Sequence, residues 1–367
     1  MTQSSGQKLI SLEAGRFIAA LGVMLFHYTG VVADFRGVIV FGDIFRPGHV
    51  GVPYFFVLSG FIIYHVHRAD LGQPGTLGRF MTKRAIRLFP MFLAVSLVML
   101  LGFMLSPKMA GQRELTPIGV IADLLLLPHA KSILTISWTL RHEMVFYALF
   151  ALALRFGPKA FWAIGAWIAV SVGTDLYVHA IGIYTVPWMG SWSVVVSVLN
   201  LGFGLGMLVA WRSAAPSQGP AWPLLWLGGG MMLILYGVEW FIGRGVPHDV
   251  EVLGVFGIVG YLVAAAALIA GLVRLERRWR FPAPAFWRAA GGSSYLLYLI
   301  HQPLASILVR LLKKVPLPAE AVFIAIAVLA VATALTLHLT VEKWVIKRLS
   351  ALGRTRVEAG LSDPSAA

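Results

Sequence analysis

Long apolar stretches separated by short polar loops cover the chain from residue 9 to residue 342. Each is long enough to cross a bilayer as a helix, since about 20 residues at a rise of 1.5 Å span the hydrocarbon core. No alternation typical of strands supports a barrel. The predicted spans are 9–32, 50–67, 87–106, 137–156, 159–178, 192–211, 222–243, 251–273, 290–312 and 319–342. The pattern predicts an all-α, polytopic membrane bundle of about ten transmembrane helices.

Composition and charge support this prediction. Hydrophobic residues make up 58% of the chain and charged residues 13%, whereas a soluble domain has about 25% charged residues. The net charge of +14 is concentrated in loops, and 19 of the 30 Lys and Arg residues lie on the side of the N-terminus. The positive-inside rule then places both termini in the cytoplasm. The charge follows topology, so we expect membrane lipids as partners and no nucleic acid.

Three segments are expected along the chain. They are a short cytoplasmic head at 1–8, a membrane domain at 9–345, and a polar cytoplasmic tail at 346–367 whose composition predicts disorder. Inside the longest outer loop, Ile118–Leu127 is apolar but too short to span, so we expect it at the interface or re-entrant. The absence of cysteine excludes disulfides and thiolate chemistry. No metal site is expected, because Asp175 and His179 alone are a poor ligand set.

Arg16 and His27 stand out inside the first span. Eleven residues at about 100° each return to within about 20° of the start, so the two share a helix face, roughly 16 Å apart along the axis. Charged residues within a membrane usually face a bundle interior or a polar cavity. His27 fits a general base, although a plain hydrogen bond to a neighbouring helix remains open. Glu13, one turn before Arg16, is expected to neutralise it.

Glu143 is the second candidate, about 9 Å into the span that begins at Ser137 and at a depth similar to that of His27. Phe146 and Tyr147 follow on the same helix face. A catalytic carboxylate and a structural ion pair with Arg141 are both open. The serine and glycine in the second span, Ser59-Gly60, are typical of helix packing rather than of a nucleophile.

Arg84 and Arg87 lie one turn apart at the start of the third span, and two guanidinium groups at this spacing suit phosphate binding. Basic clusters beside spans also serve as lipid anchors, so both interpretations stay open. In the ninth span Tyr295, Tyr298 and Gln302 fall at helical spacing and can line a cavity.

Several motifs together resemble the acyltransferase-3 family of integral membrane O-acyltransferases, which includes bacterial proteins that acylate O-antigen, exopolysaccharide and Nod factors. The matching segments occur in the family's order: Arg16-x10-His27, Phe55-Phe56-Val57-Leu58-Ser59-Gly60-Phe61, Arg84-x-x-Arg87-Leu-Phe-Pro90, Trp138-x4-Glu143-x-x-Phe146-Tyr147 and Ser294-Tyr295-x-x-Tyr298-Leu-Ile-His301. One departure is Thr139 after Trp138, where the family more often has serine.

The resemblance implies transfer of an acyl group, most simply acetyl, from cytoplasmic acyl-CoA to a hydroxyl of a glycan or glycolipid such as a surface polysaccharide. It implies a multi-pass protein of the bacterial cytoplasmic (inner) membrane with acyl-CoA, typically acetyl-CoA, as cosubstrate and no tightly bound cofactor. Direct transfer and a covalent acyl-enzyme are both open.

The expected site residues then take these roles. His27 deprotonates the acceptor or carries the acyl group, Glu143 orients or recharges His27, and Arg16 polarises the thioester or pairs with Glu13. Arg84 and Arg87 bind the phosphates of coenzyme A. A further set is expected to line the cavity: Trp138, Tyr147, Tyr295, Tyr298 and Gln302.

Two other functions compete with this one. A transporter or flippase for a lipid-linked glycan would also need many spans with buried charges, but no inverted repeat or paired broken helices are evident. A scaffold in a polysaccharide assembly complex would give Arg16 and His27 no chemical reason to be in the membrane.

Overall fold

The computed structural model describes residues 9–106, 115–128, 133–181, 193–215, 219–244, 246, 252–279, 281–282, 284–312 and 315–361, with side chains through Leu352. Within them the chain forms helices and no strand, which confirms the predicted class. The helices are α1 Ile10–Arg36, α2 Gly51–His67, α3 Thr76–Leu105, α4 Pro117–Leu124, α5 Ser137–Phe156, α6 Phe161–Ala180, α7 Leu201–Ser213, α8 Trp222–Ile242, α9 Gly254–Arg278, α10 Ala285–Leu311, α11 Ala319–Leu337 and α12 Lys343–Leu361. A π-helical turn, His338–Glu342, joins α11 to α12.

Seven helical segments in the described residues are long and apolar enough to cross a membrane. They are Ile10–Arg36, Arg46–Asp70, Thr76–Leu105, Pro158–Ala180, Trp222–Ile242, Gly254–Arg278 and Ala319–Leu352. The other three predicted spans correspond to α5, which carries three charged residues, to α7, which has 13 residues, and to α10, which contains a row of polar side chains. The protein is a multi-pass helical membrane protein, while the count of ten spans and the cytoplasmic termini stay predictions.

Small residues allow the closest helix contacts in the bundle. Helix α1 packs mainly against α10, α2 against α7, and α8 against α9. A Cβ atom at Gly60 of α2 would collide with the carbonyl oxygen of Phe203, and one at Gly206 of α7 would collide with that of Val57. Gly60 therefore serves helix packing, as small residues do in membrane bundles.

The start of α1 is held by a carboxylate from another helix. Leu9, the residue before α1, offers no side-chain cap. Instead Glu276 of α9 accepts hydrogen bonds from the backbone N–H groups of Ile10, at 2.6 Å, and Ser11, at 2.9 Å. A negative charge here satisfies donors that the helix itself leaves unpaired and complements the helix dipole. The contact fixes the helix that carries Arg16 and His27.

The short apolar stretch of the long outer loop forms α4, which is too short to span. Its Asp123 is buried and accepts hydrogen bonds from the guanidinium of Arg141 and from the backbone N–H of Ile133. Arg141 is itself 1% exposed. This buried ion pair fastens the loop to the beginning of α5, and Arg141 therefore pairs with Asp123 rather than with Glu143.

The end of the chain differs from the expectation. Helix α12 continues to Leu361, although the polar composition from residue 346 predicted disorder. Arg, Lys and Glu are good helix formers, so a polar sequence can extend a helix that α11 has already nucleated. The head at 1–8 and residues 362–367 lie outside the described residues, and the division of the chain at residue 345 stays a prediction.

We predict that Asp123→Ala destabilises the fold strongly. Removing one partner of a buried ion pair leaves the other charge without compensation, which costs about 3–5 kcal/mol. Thermal unfolding of the purified protein in detergent should show a clear fall in Tm. Asp34→Ala is the control, since Asp34 is exposed on α1 and its loss should change the stability by less than about 0.5 kcal/mol. Equal Tm values for the two variants would contradict a structural role for the pair.

Candidate active site

A cavity with charged and aromatic walls lies between α1, α2, α3, α5 and α10, and we call it the central cavity. Its charged lining consists of three arginines and one carboxylate, namely Arg16, Arg84, Arg87 and Glu143. The remaining wall is largely aromatic and aliphatic. Concave sites with apolar walls and a few convergent polar groups are the usual form of small-molecule sites. Four of the five residues chosen from the sequence as catalytic or phosphate-binding therefore share one cavity.

Arg16 reaches the cavity from the inner face of α1. Its Nη1 atom lies 4.0 Å from Oε2 of Glu13, one turn earlier, and the two side chains are 22% and 17% exposed. This confirms the neutralising pair predicted from their spacing. At 4.0 Å the pair is loose, so the guanidinium keeps donors that can turn toward a bound molecule.

Glu143 is the acceptor of two hydroxyl groups. Ser59 of α2 donates to its Oε1 at 2.8 Å, and Tyr147, one turn further along α5, donates at 2.5 Å. Phe146 instead stacks on Phe203 of α7, with ring centroids 4.3 Å apart. Ser59 therefore orients the carboxylate, a role that its sequence context did not indicate because the contact joins residues from different helices.

Arg84 and Arg87 differ in their surroundings. The guanidinium of Arg84 lies 5.7 Å from the centroid of the Phe80 ring and 5.8 Å from that of Tyr147. Among the described residues no carboxylate lies within ion-pair distance of it. A guanidinium is attracted to the aromatic faces beside it, and its planar fork of N–H donors suits an anion.

Arg87 is bound to a carboxylate. Its Nη1 lies 2.6 Å from Oε1 of Glu342, which is fully buried and also binds Nδ1 of His338 at 2.6 Å. The ring of Tyr295 lies 5.6 Å from the guanidinium. Arg87 lines the central cavity but shares its charge with Glu342, whereas Arg84 has no such partner among the described residues.

His27 lies outside the central cavity, next to a second histidine. Its Nδ1 is 2.9 Å from the carbonyl oxygen of Val23 and 3.2 Å from Nε2 of His301 on α10. The expected contact between Glu143 and His27 is absent from the described residues, where the hydrogen bonds of Glu143 go to other groups. Similar depth did not make them neighbours, because α1 packs on α10 and α2 whereas α5 packs mainly on α3.

Tyr298 lies between the cavity and the two histidines. It lines the cavity, its hydroxyl is 3.0 Å from that of Thr139, and its ring centroid is 5.8 Å from that of His301. Thr139 thus supplies the hydroxyl that a serine would supply at this position. Tyr298 thus connects the two candidate groups, because it lines the charged cavity and contacts His301 of the histidine pair.

The expected lining is present in part. Tyr147, Tyr295 and Tyr298 line the central cavity, whereas Trp138 and Gln302 do not. Trp138 packs against the ring of His142, at 5.6 Å between centroids. Gln302 lies on the same face of α10 as Tyr295 but about 10 Å further along the axis, past the end of the cavity.

A second buried polar group was not foreseen from the sequence. Glu239 of α8 is 3% exposed, lies 2.5 Å from Nε2 of His49 and accepts a hydrogen bond from the hydroxyl of Tyr261 at 2.7 Å. A carboxylate within an apolar span is a signal that could have found it. In the part of the chain that the structure describes, no group of three or more His, Asp or Glu residues could hold a metal ion.

Comparison with known proteins identifies the family of the chain. The family model described as an acyltransferase domain, of acyltransferase-3 type, matches residues 9–337. The chain is also 27% identical over 346 residues to the exopolysaccharide production protein ExoZ of Rhizobium meliloti (strain 1021), covering 89% of this chain and 97% of that protein. No solved structure matches the chain significantly. The matched region contains all of α1 to α11, with the central cavity and the histidine pair, and the chain belongs to the acyltransferase-3 family of membrane acyltransferases.

Proposed function

We propose that the protein transfers an acyl group, most simply acetyl, from cytoplasmic acyl-CoA to a hydroxyl of a glycan or glycolipid. The observation that carries the proposal is the central cavity, in which Arg16, Arg84, Arg87 and Glu143 converge between aromatic walls. The similarity to a protein named for exopolysaccharide production supports a surface polysaccharide or its lipid-linked precursor as acceptor. A bacterial cytoplasmic membrane is the location that fits a cytoplasmic donor and a surface glycan.

The donor is proposed to enter at the arginine end of the cavity. Arg84 and Arg87 lie near the start of α3, and the positive-inside rule places this end in the cytoplasm. Arg84, which has aromatic neighbours and no carboxylate partner in the part of the chain that the structure describes, is the stronger phosphate ligand. Arg87 would have to share its charge between the phosphates and Glu342.

On its way toward His27 the donor passes the part of the cavity that holds Arg16 and Glu143. Arg16 lies about 16 Å from His27 along the axis of α1, so its guanidinium is proposed to hold the donor in the cavity rather than to contact the reacting carbonyl. Glu143, oriented by Ser59 and Tyr147, balances that arginine electrostatically. We propose this role in place of direct contact with His27.

His27 is proposed as the general base on the far side of Tyr298. It takes the proton of the acceptor hydroxyl while that oxygen forms a bond to the thioester carbon. The carbon–sulfur bond breaks, and the departing thiolate takes up the proton to leave as CoA. Transfer through an acyl-histidine would use the same groups in two steps.

A flippase would need no thioester cleavage, so release of CoA by the purified protein distinguishes an acyltransferase from a flippase.

His27→Ala should abolish acyl transfer. Loss of a general base lowers kcat by about 100-fold or more, while expression and membrane insertion stay intact because the residue is only half-buried. Acylation of the cell-surface glycan, measured by mass spectrometry beside the protein level in membranes, checks this. Near-normal acylation by the variant would remove His27 from the mechanism.

Glu143→Gln should lower turnover more than donor binding. Glutamine keeps the shape but loses the charge that faces Arg16, so we expect kcat to fall about 10- to 100-fold with a KM for acyl-CoA within about threefold. Steady-state kinetics in detergent or nanodiscs measure both. Glu320→Gln, at an exposed position at the start of α11, is the matched control and should leave both constants unchanged. Normal turnover with a raised KM would make Glu143 a binding residue.

Arg84→Ala should chiefly weaken the use of acyl-CoA. A charge-assisted hydrogen bond contributes about 1.5–3 kcal/mol, so we expect the KM for acyl-CoA to rise about tenfold or more. Arg84→Lys should rescue only in part, because lysine lacks the planar fork. The matched control is Arg79→Ala, an exposed arginine on the same helix, which tests whether any lost cation has this effect. Equal KM values for the two alanine variants would mean that Arg84 is an anchor for lipid headgroups rather than a ligand of acyl-CoA.

A further inference from the structure

The contact between His27 and His301 suggests a role for His301. This inference goes beyond the proposed function, and it rests on that function because it concerns the same base, His27. The two rings lie 5.0 Å apart between centroids, and His301 is fully buried whereas His27 is only half-buried. A buried imidazole costs free energy unless its nitrogens are hydrogen-bonded. The hydrogen-bond partners of the two rings therefore decide which nitrogens carry hydrogen.

The partners of His301 select one tautomer. Its Nδ1 lies 2.6 Å from the carbonyl oxygen of Tyr298 and 3.3 Å from that of Leu297. Carbonyl oxygens only accept hydrogen bonds, so in the neutral ring the hydrogen is on Nδ1. The unprotonated Nε2 of His301 then directs its lone pair toward His27, 3.2 Å away.

The same reasoning applies to His27. Its Nδ1 lies between the carbonyl oxygen of Val23, at 2.9 Å, and the lone pair of His301 Nε2. Both neighbours accept, so Nδ1 of His27 carries the hydrogen and its Nε2 is unprotonated. Within the described residues that Nε2 makes no hydrogen bond, and it is free for a substrate hydroxyl.

We propose that His301 is a positioning residue that fixes the reactive tautomer of His27. It holds the hydrogen of His27 on Nδ1 and so presents Nε2 as the base. When Nε2 accepts the proton of the acceptor hydroxyl, His27 becomes a cation whose Nδ1–H group donates to the neutral His301. Stabilisation of this cation lowers the barrier for the step that the acceptor hydroxyl enters.

Three substitutions of His301 separate this role from packing. Glutamine places its amide oxygen close to the position of Nε2 and keeps an acceptor for His27. Asparagine reaches only as far as Nδ1, so it keeps the contacts to the carbonyls and loses the acceptor. Leucine has similar bulk and neither group. If His301 only fills space, His301→Leu should reduce activity least of the three. If His301 positions His27, His301→Gln should reduce activity least.

The experiment measures kcat and the KM for acyl-CoA with purified protein in nanodiscs, with acetyl-CoA and the isolated surface glycan. We expect kcat to fall about 10- to 100-fold for His301→Asn and for His301→Leu, because both lose the hydrogen bond that the His27 cation donates. His301→Gln should stay within about fivefold of the unmodified protein, and KM should change little in all three. A higher kcat for His301→Leu than for His301→Gln would mean that activity follows side-chain bulk, and it would overturn the proposal. A change in KM without a change in kcat would overturn it as well.

Two further measurements complete the test. His67→Leu removes another buried, hydrogen-bonded histidine, on α2, and should leave kcat unchanged. In protein labelled with ¹⁵N-histidine, the His27 signal, assigned by its loss in His27→Gln, should show hydrogen on Nδ1, and hydrogen on Nε2 overturns the proposal. If His27→Ala is active, the proposed function itself is contradicted. If His27→Ala is inactive while His301→Asn is fully active, only the role of His301 is contradicted.

Discussion

A charge inside an apolar bundle is stable only beside a partner, because removal of an ion from water costs several kcal/mol. In this protein several of the partners come from distant parts of the chain. Glu342 at the end of the bundle holds Arg87 of α3, and Glu239 of α8 holds His49 before α2. These contacts tie helices together, and they also determine which charges remain for a substrate.

Arg84 shows what the constraint leaves available. Its neighbours are aromatic rings, and no carboxylate of the described residues lies within ion-pair distance to neutralise its charge. Arg16 has a carboxylate neighbour, but at 4.0 Å. The central cavity is therefore electropositive at its arginine end, where an acyl-CoA would bring phosphates, and contains one carboxylate that is oriented by two hydroxyl groups. A cavity of this kind suits an anionic cosubstrate whose reactive end is neutral.

The sequence was sufficient for the features that depend on spacing along one helix. The helical class followed from the length and composition of the apolar stretches, and the pair of Glu13 with Arg16 followed from their separation of three residues. The shared face of Arg16 and His27 and the roughly 16 Å between them along the axis also followed from helical geometry, but not which of the two residues lines the cavity. In the structure Arg16 lies in the cavity wall and His27 lies outside it.

Features that depend on how helices pack could not be predicted in this way. Glu143 and His27 have similar depth, but depth does not determine which helices are adjacent. The same limit hid the contact of His301 with His27, which joins α1 to α10 across 274 residues of sequence. The polar row on α10 indicated a buried face, and only the packing of that face on α1 showed which of its side chains meets the proposed base.

The central claim is that this cavity couples cleavage of a thioester to acylation of a glycan. The most direct measurement uses purified protein in nanodiscs with acetyl-CoA and the isolated surface glycan, and follows CoA release and glycan mass together. The account predicts CoA release that depends on the glycan, with one acetyl group gained for each CoA released. Glycan that gains no mass, or that crosses a membrane in liposomes without any release of CoA, would contradict it.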